Sequence, residues 1–156
     1  MKLKKNKLLI ILFIALLGCI GCNDNEDKSP LKDKQLTVLE MNAEGCKENL
    51  KSIEAEQYIE LKAEGESQLR IKFINATINC AGLDTTYAVI YDGILKVTFF
   101  DYNLANCLCD FDLECVLDSM ENRQYELEVY ANGEEPKAKI TFIYSSKLDS
   151  KIDINN

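Results

Sequence analysis

Between Gln57 and Phe142, apolar and polar residues alternate with a period of two in run after run. Successive strand side chains point to opposite faces, so this pattern describes strands with one buried and one wet side. The clearest pair is Tyr125-Glu126-Leu127-Glu128-Val129 and Lys137-Ala138-Lys139-Ile140-Thr141-Phe142. Tyr125, Leu127 and Val129 face inward there, as do Ala138, Ile140 and Phe142, while Glu126, Glu128, Lys137 and Lys139 face water. A turn at Ala131-Asn132-Gly133 folds the two runs into a hairpin and brings opposite charges across from one another. Each such pair contributes roughly a few tenths of a kcal/mol.

A second hairpin is signalled by Asp92-Gly93 between Tyr87–Tyr91 and Leu95–Phe100, where Leu95, Val97 and Phe99 alternate with Lys96 and Thr98. A third joins Gln57–Ala63 to Gln68–Asn79 through Glu64-Gly65-Glu66-Ser67. In its long arm Leu69, Ile71 and Phe73 keep phase, and the phase slips at Ile74, Ala76 and Ile78, which predicts a bulge or a bend. With Gln35–Met41 and Phe111–Leu117 this makes about eight short strands and no convincing helix, an all-β antiparallel sandwich. Leu117 and Met120 followed by Tyr125-x-Leu127-x-Val129 resemble the loop and penultimate strand of an immunoglobulin-like domain with its corner tyrosine.

The first 27 residues give an address. Lysines at 2, 4, 5 and 7 precede an apolar run from Leu8 to Leu17, then Gly18-Cys19-Ile20-Gly21-Cys22 and the acidic Asn23-Asp24-Asn25-Glu26-Asp27. An apolar run of about ten residues behind basic ones is a signal-peptide core, too short for a membrane span of about 20. The segment resembles a bacterial lipoprotein signal, in which cleavage precedes an acylated Cys. Leu16 lies three positions before Cys19, and the acidic run follows Cys22 at once. An acidic patch after the lipidated Cys resembles a surface-export tag of some diderm bacteria, which points to Cys22, with Cys19 the alternative. The expected organisation is a signal peptide over 1–21, an acidic tether over 22–34, one disulfide-stapled domain over 35–146 and a flexible tail over 147–156. The expected location is the outer membrane, on the cell surface or, alternatively, on the periplasmic face. Two or more acyl chains make such attachment effectively stable.

Losing the signal takes the basic residues from 18 to 14 against 26 carboxylates, a mature net charge of −12. That surface repels phosphates and excludes nucleic acid as a partner.

An exported chain meets an oxidising compartment, where paired cysteines are the default. Beyond Cys19 and Cys22 there are five: Cys46, Cys80, Cys107, Cys109 and Cys115. Cys115 shares the inward phase of Phe111, Leu113 and Leu117 and is the expected free, buried thiol. Cys107 and Cys109 are too close to bridge one another without strain, so each is expected to pair with Cys46 or Cys80 in some order.

Asn75-Ala76-Thr77-Ile78-Asn79-Cys80 and Cys107-Leu108-Cys109-Asp110-Phe111-Asp112-Leu113, with Gly45-Cys46-Lys47 and Tyr58-Ile59-Glu60-Leu61-Lys62, resemble a family of uncharacterised, β-sandwich-like exported lipoproteins. The resemblance covers about Lys34–Val129. Family members carry further cysteines where this chain has Ala81 and Ala105, so both halves of one bridge are missing here. That paired absence implies two further bridges among Cys46, Cys80, Cys107 and Cys109. It implies no activity.

The chain has no His, which removes Ser-His-Asp and Cys-His arrangements and the usual proton shuttle. Cys107-x-Cys109 lacks zinc-knuckle spacing and is not Cys-x-x-Cys, so neither metal nor redox catalysis is expected, and no cofactor. A carboxylate-based hydrolase is the remote enzymatic alternative, with Asp101, Asp110, Asp112 and Glu114 near one another in sequence. Asp101, Asp110 and Asp112 are also weak Ca²⁺ candidates, without the Asp-x-Asp-x-Asp-Gly loop. Asp118-Ser119-Met120 resembles a short bacterial O-glycosylation motif at Ser119. The expected function is a non-catalytic binding or interaction module, with a protein or a glycan as partner. Tyr87, Tyr91, Tyr102 and Tyr130 stand in for the absent Trp as a sugar platform.

Overall fold

The computed structural model describes residues 31–47, 56–102 and 105–154. Cys19, Cys22 and the signal segment lie outside the described residues.

Ten strands are present among them: β1 (Lys34–Gln35), β2 (Val38–Lys47), β3 (Tyr58–Glu64), β4 (Gln68–Asn79), β5 (Thr85–Tyr91), β6 (Ile94–Phe100), β7 (Leu108–Leu117), β8 (Gln124–Ala131), β9 (Ala138–Ile143) and β10 (Asp149–Asp153). They form a sandwich of two five-stranded sheets, β1-β5-β6-β8-β9 and β10-β3-β4-β7-β2. All three predicted hairpins form. Asp92 (φ 51°) and Gly93 (φ 79°) supply the two left-handed residues that the tight β5–β6 turn requires. In the β8–β9 hairpin Leu127 pairs with Ile140 and Glu128 with Lys139, whose Nζ lies 2.9 Å from Glu128 Oε1.

The core fills the space between the inward faces. Leu69, Ile71 and Phe73 of β4 and Leu113, Cys115 and Leu117 of β7 meet Leu95, Val97 and Phe99 of β6 and Leu127 and Val129 of β8. Burying each large apolar side chain contributes about 1.5–3 kcal/mol relative to leaving it exposed. Tyr125 stacks on Phe142 with ring centroids 5.6 Å apart. Its hydroxyl accepts the Glu121 amide at 3.0 Å, the backbone contact that defines a tyrosine corner.

The phase slip in β4 is a bulge. Phe73 pairs with Leu113 and Ala76 with Phe111, so Ile74 and Asn75 together oppose Asp112. Asn75 takes the left-handed conformation (φ 56°), which Asn tolerates better than most residues. Its displaced amide donates to Asp112 Oδ1 at 3.0 Å, and its carbonyl accepts from Gln57 Nε2. The extra residue brings Ala76 and Ile78 back to the inward side.

The all-β sandwich is the expected one, and three details differ. The sheets are not wholly antiparallel, because β6 and β8 run parallel, Leu95 beside Leu127 and Val97 beside Val129. The segment read as a tail from Lys147 instead forms β10, which pairs with β3 from Asp149–Lys62 to Asp153–Tyr58. Its alternation is weak because an edge strand buries little, yet Ile152 and Ile154 pack on the core. The domain also begins earlier than residue 35, since Leu31 packs on the core and Lys34 pairs with Ile90.

Candidate functional site

Two places concentrate exposed or reactive chemistry: the outward face of the first sheet and a cluster of four cysteines at one end of the second.

On the first sheet, β5 alternates buried Thr86, Ala88 and Ile90 with exposed Tyr87, Val89 and Tyr91. Cross-strand pairing extends these into rows. Tyr87 lies beside Thr98, which lies beside Tyr130. With neighbouring strands about 4.8 Å apart, the two tyrosines flank Thr98 at a spacing of about 10 Å. Tyr102, just past β6, folds back over this end, its ring edge-on to Phe100 at 4.7 Å and its hydroxyl 2.7 Å from that of Tyr87. That shared hydrogen bond raises the Tyr102 pKa. Tyr91 is 58% exposed and Tyr102 63%. Three of the four predicted tyrosines thus gather at one end, and Tyr91 sits at the other, under Lys96 Nζ at 5.5 Å.

Glu128 crosses the middle of the face, 3.8 Å from Lys96 and 2.9 Å from Lys139, and accepts the Tyr130 hydroxyl at 2.6 Å. The hydrogen bond from Tyr130, then the one from Lys139, holds the Glu128 carboxyl below its ordinary range. The same bond pushes Tyr130 up to about 12.

The cysteine cluster is assembled by β7 and its two neighbours. Cys46 bridges Cys109, and Cys80 bridges Cys107. Both neighbours are bulged beside the same short stretch of β7: β4 opposite Asp112, and β2 between Glu44 and Lys47, where Gly45 takes φ 60°. No atom lies within 4 Å of a Cβ added at Gly45, so the glycine serves backbone conformation rather than space. Asn79 positions the second bridge. Its side chain donates to the Ala105 carbonyl at 2.9 Å and accepts the Ala105 and Ala81 amides, while the Cys80 amide donates to the Cys107 carbonyl. Asn75 and Asn79 thus have backbone jobs, at a bulge and a turn, that spacing alone does not reveal.

Cys115 is fully buried and unbridged, and burial pushes its thiol up to about 12.

The three Ca²⁺ candidates are not brought together. Asp101 follows the end of β6 in the first sheet, whereas Asp110 and Asp112 lie on β7 in the second. Asp110 accepts the Thr77 hydroxyl at 2.7 Å, Asp112 caps the β4 bulge, and Glu114 is ion-paired with Arg70 and with Lys72. Among the described residues, the one group of three metal-ligating residue types within reach of each other is Cys46, Cys80 and Cys109, and all three are held in disulfides. Ser119 is exposed with φ 64° in the loop between β7 and β8.

No protein-family model, curated protein or solved structure matches the chain.

Proposed function

We propose that this chain is a non-catalytic binding module, anchored by an acylated Cys22 to the outer membrane of a diderm bacterium and displayed on the cell surface. The observation that carries the binding reading is the outward face of β5, where Tyr87, Val89 and Tyr91 are exposed together and Tyr102 closes one end. Aromatic rings with one apolar body and one polar tip are costly to leave wet and suited to partners that cover them. The lipoprotein-like signal supports the anchor, and the two disulfides are in keeping with an oxidising compartment. The absence of His and the engagement of Asp110, Asp112 and Glu114 weigh against hydrolysis.

A glycan is the second reading of the occupant. It is favoured by the row Tyr87–Thr98–Tyr130 with Tyr102, which puts ring faces and hydroxyls side by side at one end of the sheet.

Protease shaving of intact cells, with a periplasmic protein as leakage control, tests the address. Loss of the domain is expected, and protection until the outer membrane is permeabilised would place it on the periplasmic face. Photo-crosslinking from position 89 in cells, beside a glycan array probed with the purified chain and with Tyr87→Ala/Tyr102→Ala, tests the face. A partner or glycan captured equally well by the double variant would remove this face as the site.

A further inference from the structure

The four bridged cysteines divide into an inner and an outer pair. Cys109 is 7% exposed and Cys80 half-buried, and their Sγ atoms lie 3.0 Å apart although they belong to different bridges. Cys46 and Cys107 are both exposed. Each bridge therefore joins an exposed cysteine to one whose sulfur lies against the other bridge, and the Cys46, Cys80 and Cys109 sulfurs all lie within 4.8 Å of one another.

We infer that this cluster is a thiol–disulfide exchange site whose substrate class is an external dithiol. Its first reduction leaves the inner bridge Cys80–Cys109 and presents Cys46 and Cys107 as free surface thiols. A thiolate of the dithiol attacks Sγ of the exposed Cys107, the Cys80–Cys107 bond breaks, and Cys80 leaves as thiolate. Cys80 Sγ attacks Cys109 Sγ, 3.0 Å away, forming Cys80–Cys109 and expelling the Cys46 thiolate. The second sulfur of the dithiol closes on the first, releasing Cys107 as a thiol and leaving the dithiol as its cyclic disulfide. Two electrons pass from the dithiol to the protein, and the internal exchange is redox-neutral.

Entry at the other bridge converges on the same product. Attack at exposed Cys46 expels Cys109 as thiolate, which attacks Cys80 and frees Cys107. The direction follows from solvation: a thiolate at Cys80 or Cys109 is partly stripped of water, whereas one at Cys46 or Cys107 is hydrated. Exchange moves the charge outward. Cys46 stands near the end of β2, an edge strand that also exposes Leu39 and Met41, so the released thiol is open to a partner's cysteine.

The test treats the purified full chain with substoichiometric dithiothreitol, traps it with acid and N-ethylmaleimide, and maps labels and bridges by peptide mass. The expected single-bridge species carries label on Cys46 and Cys107 and retains Cys80–Cys109. Label on Cys80 and Cys107 with Cys46–Cys109 intact, or on Cys46 and Cys109 with Cys80–Cys107 intact, would overturn the inference. A second measurement uses Cys107→Ser without reductant, so that Cys80 starts without its partner. Several-fold more label on Cys46 than on Cys80 is expected, and label confined to Cys80 would overturn it. Buried Cys115 is the internal control in both.

Discussion

The outward side of the second sheet is organised around an ion network centred on Arg70, whereas the outward side of the first sheet ends in exposed rings. In the second, Arg70 reaches Glu64, Glu40 and Glu114, and Glu114 also takes Lys72 at 2.7 Å. The hydrogen bond to Glu64 raises the Arg70 pKa, and the same bond lowers that of Glu64. Tyr58, the ring of that face, lies under Lys151 Nζ at 3.7 Å. In the first, the charges Lys96, Glu128 and Lys139 are likewise paired, but Tyr87, Val89, Tyr91 and Tyr102 remain exposed. Equal alternation along the strands thus yields one face built mainly of paired charges, with Leu108 exposed at its cysteine end, and one that gathers exposed rings.

The largest test of this contrast concerns the end of the second sheet, where the bulged strands depend on covalent ties. Replacing Cys46→Ser and Cys80→Ser together removes both bridges and is expected to cost about 2–4 kcal/mol per bridge, read as the urea midpoint. A loss below about 1 kcal/mol would mean that Asn79 and the bulge hydrogen bonds hold that end unaided. Next, Arg70→Met removes the guanidinium, only 19% exposed, that Glu40, Glu64 and Glu114 share, and leaves Glu114 with Lys72. A destabilisation of about 1–2 kcal/mol is expected, between the ranges for exposed and buried pairs.

Acid sharpens the comparison between the faces. Glu64 and Glu128 both have folded pKa values below the ordinary 4.5, Glu64 through its hydrogen bond with Arg70 and Glu128 through Tyr130 and Lys139. The stability they contribute is present above 4.5 and lost as pH falls through the lowered folded values. Urea midpoints measured from about pH 6 to about pH 3 should therefore fall in the parent chain. The fall should shrink in Arg70→Met while the Glu128 share persists, and an unchanged slope would show that the Arg70 network is not the acid-sensitive one. At the alkaline end Tyr130 is raised from 10.0 to about 12 by its bond to Glu128. That contribution is complete below pH 10 and lost as pH rises toward 12, and the tyrosinate absorbance of Glu128→Gln should show the earlier titration. The smallest effect is expected on the uncovered face: Tyr87→Ser with Tyr102→Ser should change stability by no more than about 0.5 kcal/mol while abolishing capture of the partner. A larger loss of stability would make these rings part of the fold.

Much of this was legible locally. The alternation at Leu95–Phe99, the Asp92-Gly93 turn, the phase slip after Phe73, the Glu128–Lys139 pairing and the inward phase of Cys115 all follow from residues within a single strand or hairpin. The tyrosines of the candidate face were named from sequence, but their rows were not, because Tyr87 and Tyr130 meet across Thr98 through a parallel pairing of strands distant in the chain. The Ca²⁺ candidates failed for the complementary reason, since nearness of Asp101 to Asp110 in sequence spans a crossing from one sheet to the other.

Between Tyr58 and Ile143 the sequence by itself determined which segments are strands, which side of each is wet and where the hairpin turns fall, and it required four cysteines to find partners at a distance. Those properties depend on φ/ψ preferences and on burial of alternate side chains, both set by near neighbours. Only the tertiary structure decided that β6 lies parallel to β8, that β10 completes the second sheet, that Cys46 meets Cys109 and Cys80 meets Cys107, and that Cys80 and Cys109 lie face to face. Strand order and sulfur proximity depend on how two whole sheets twist and pack around one core, and no local pattern carries that information.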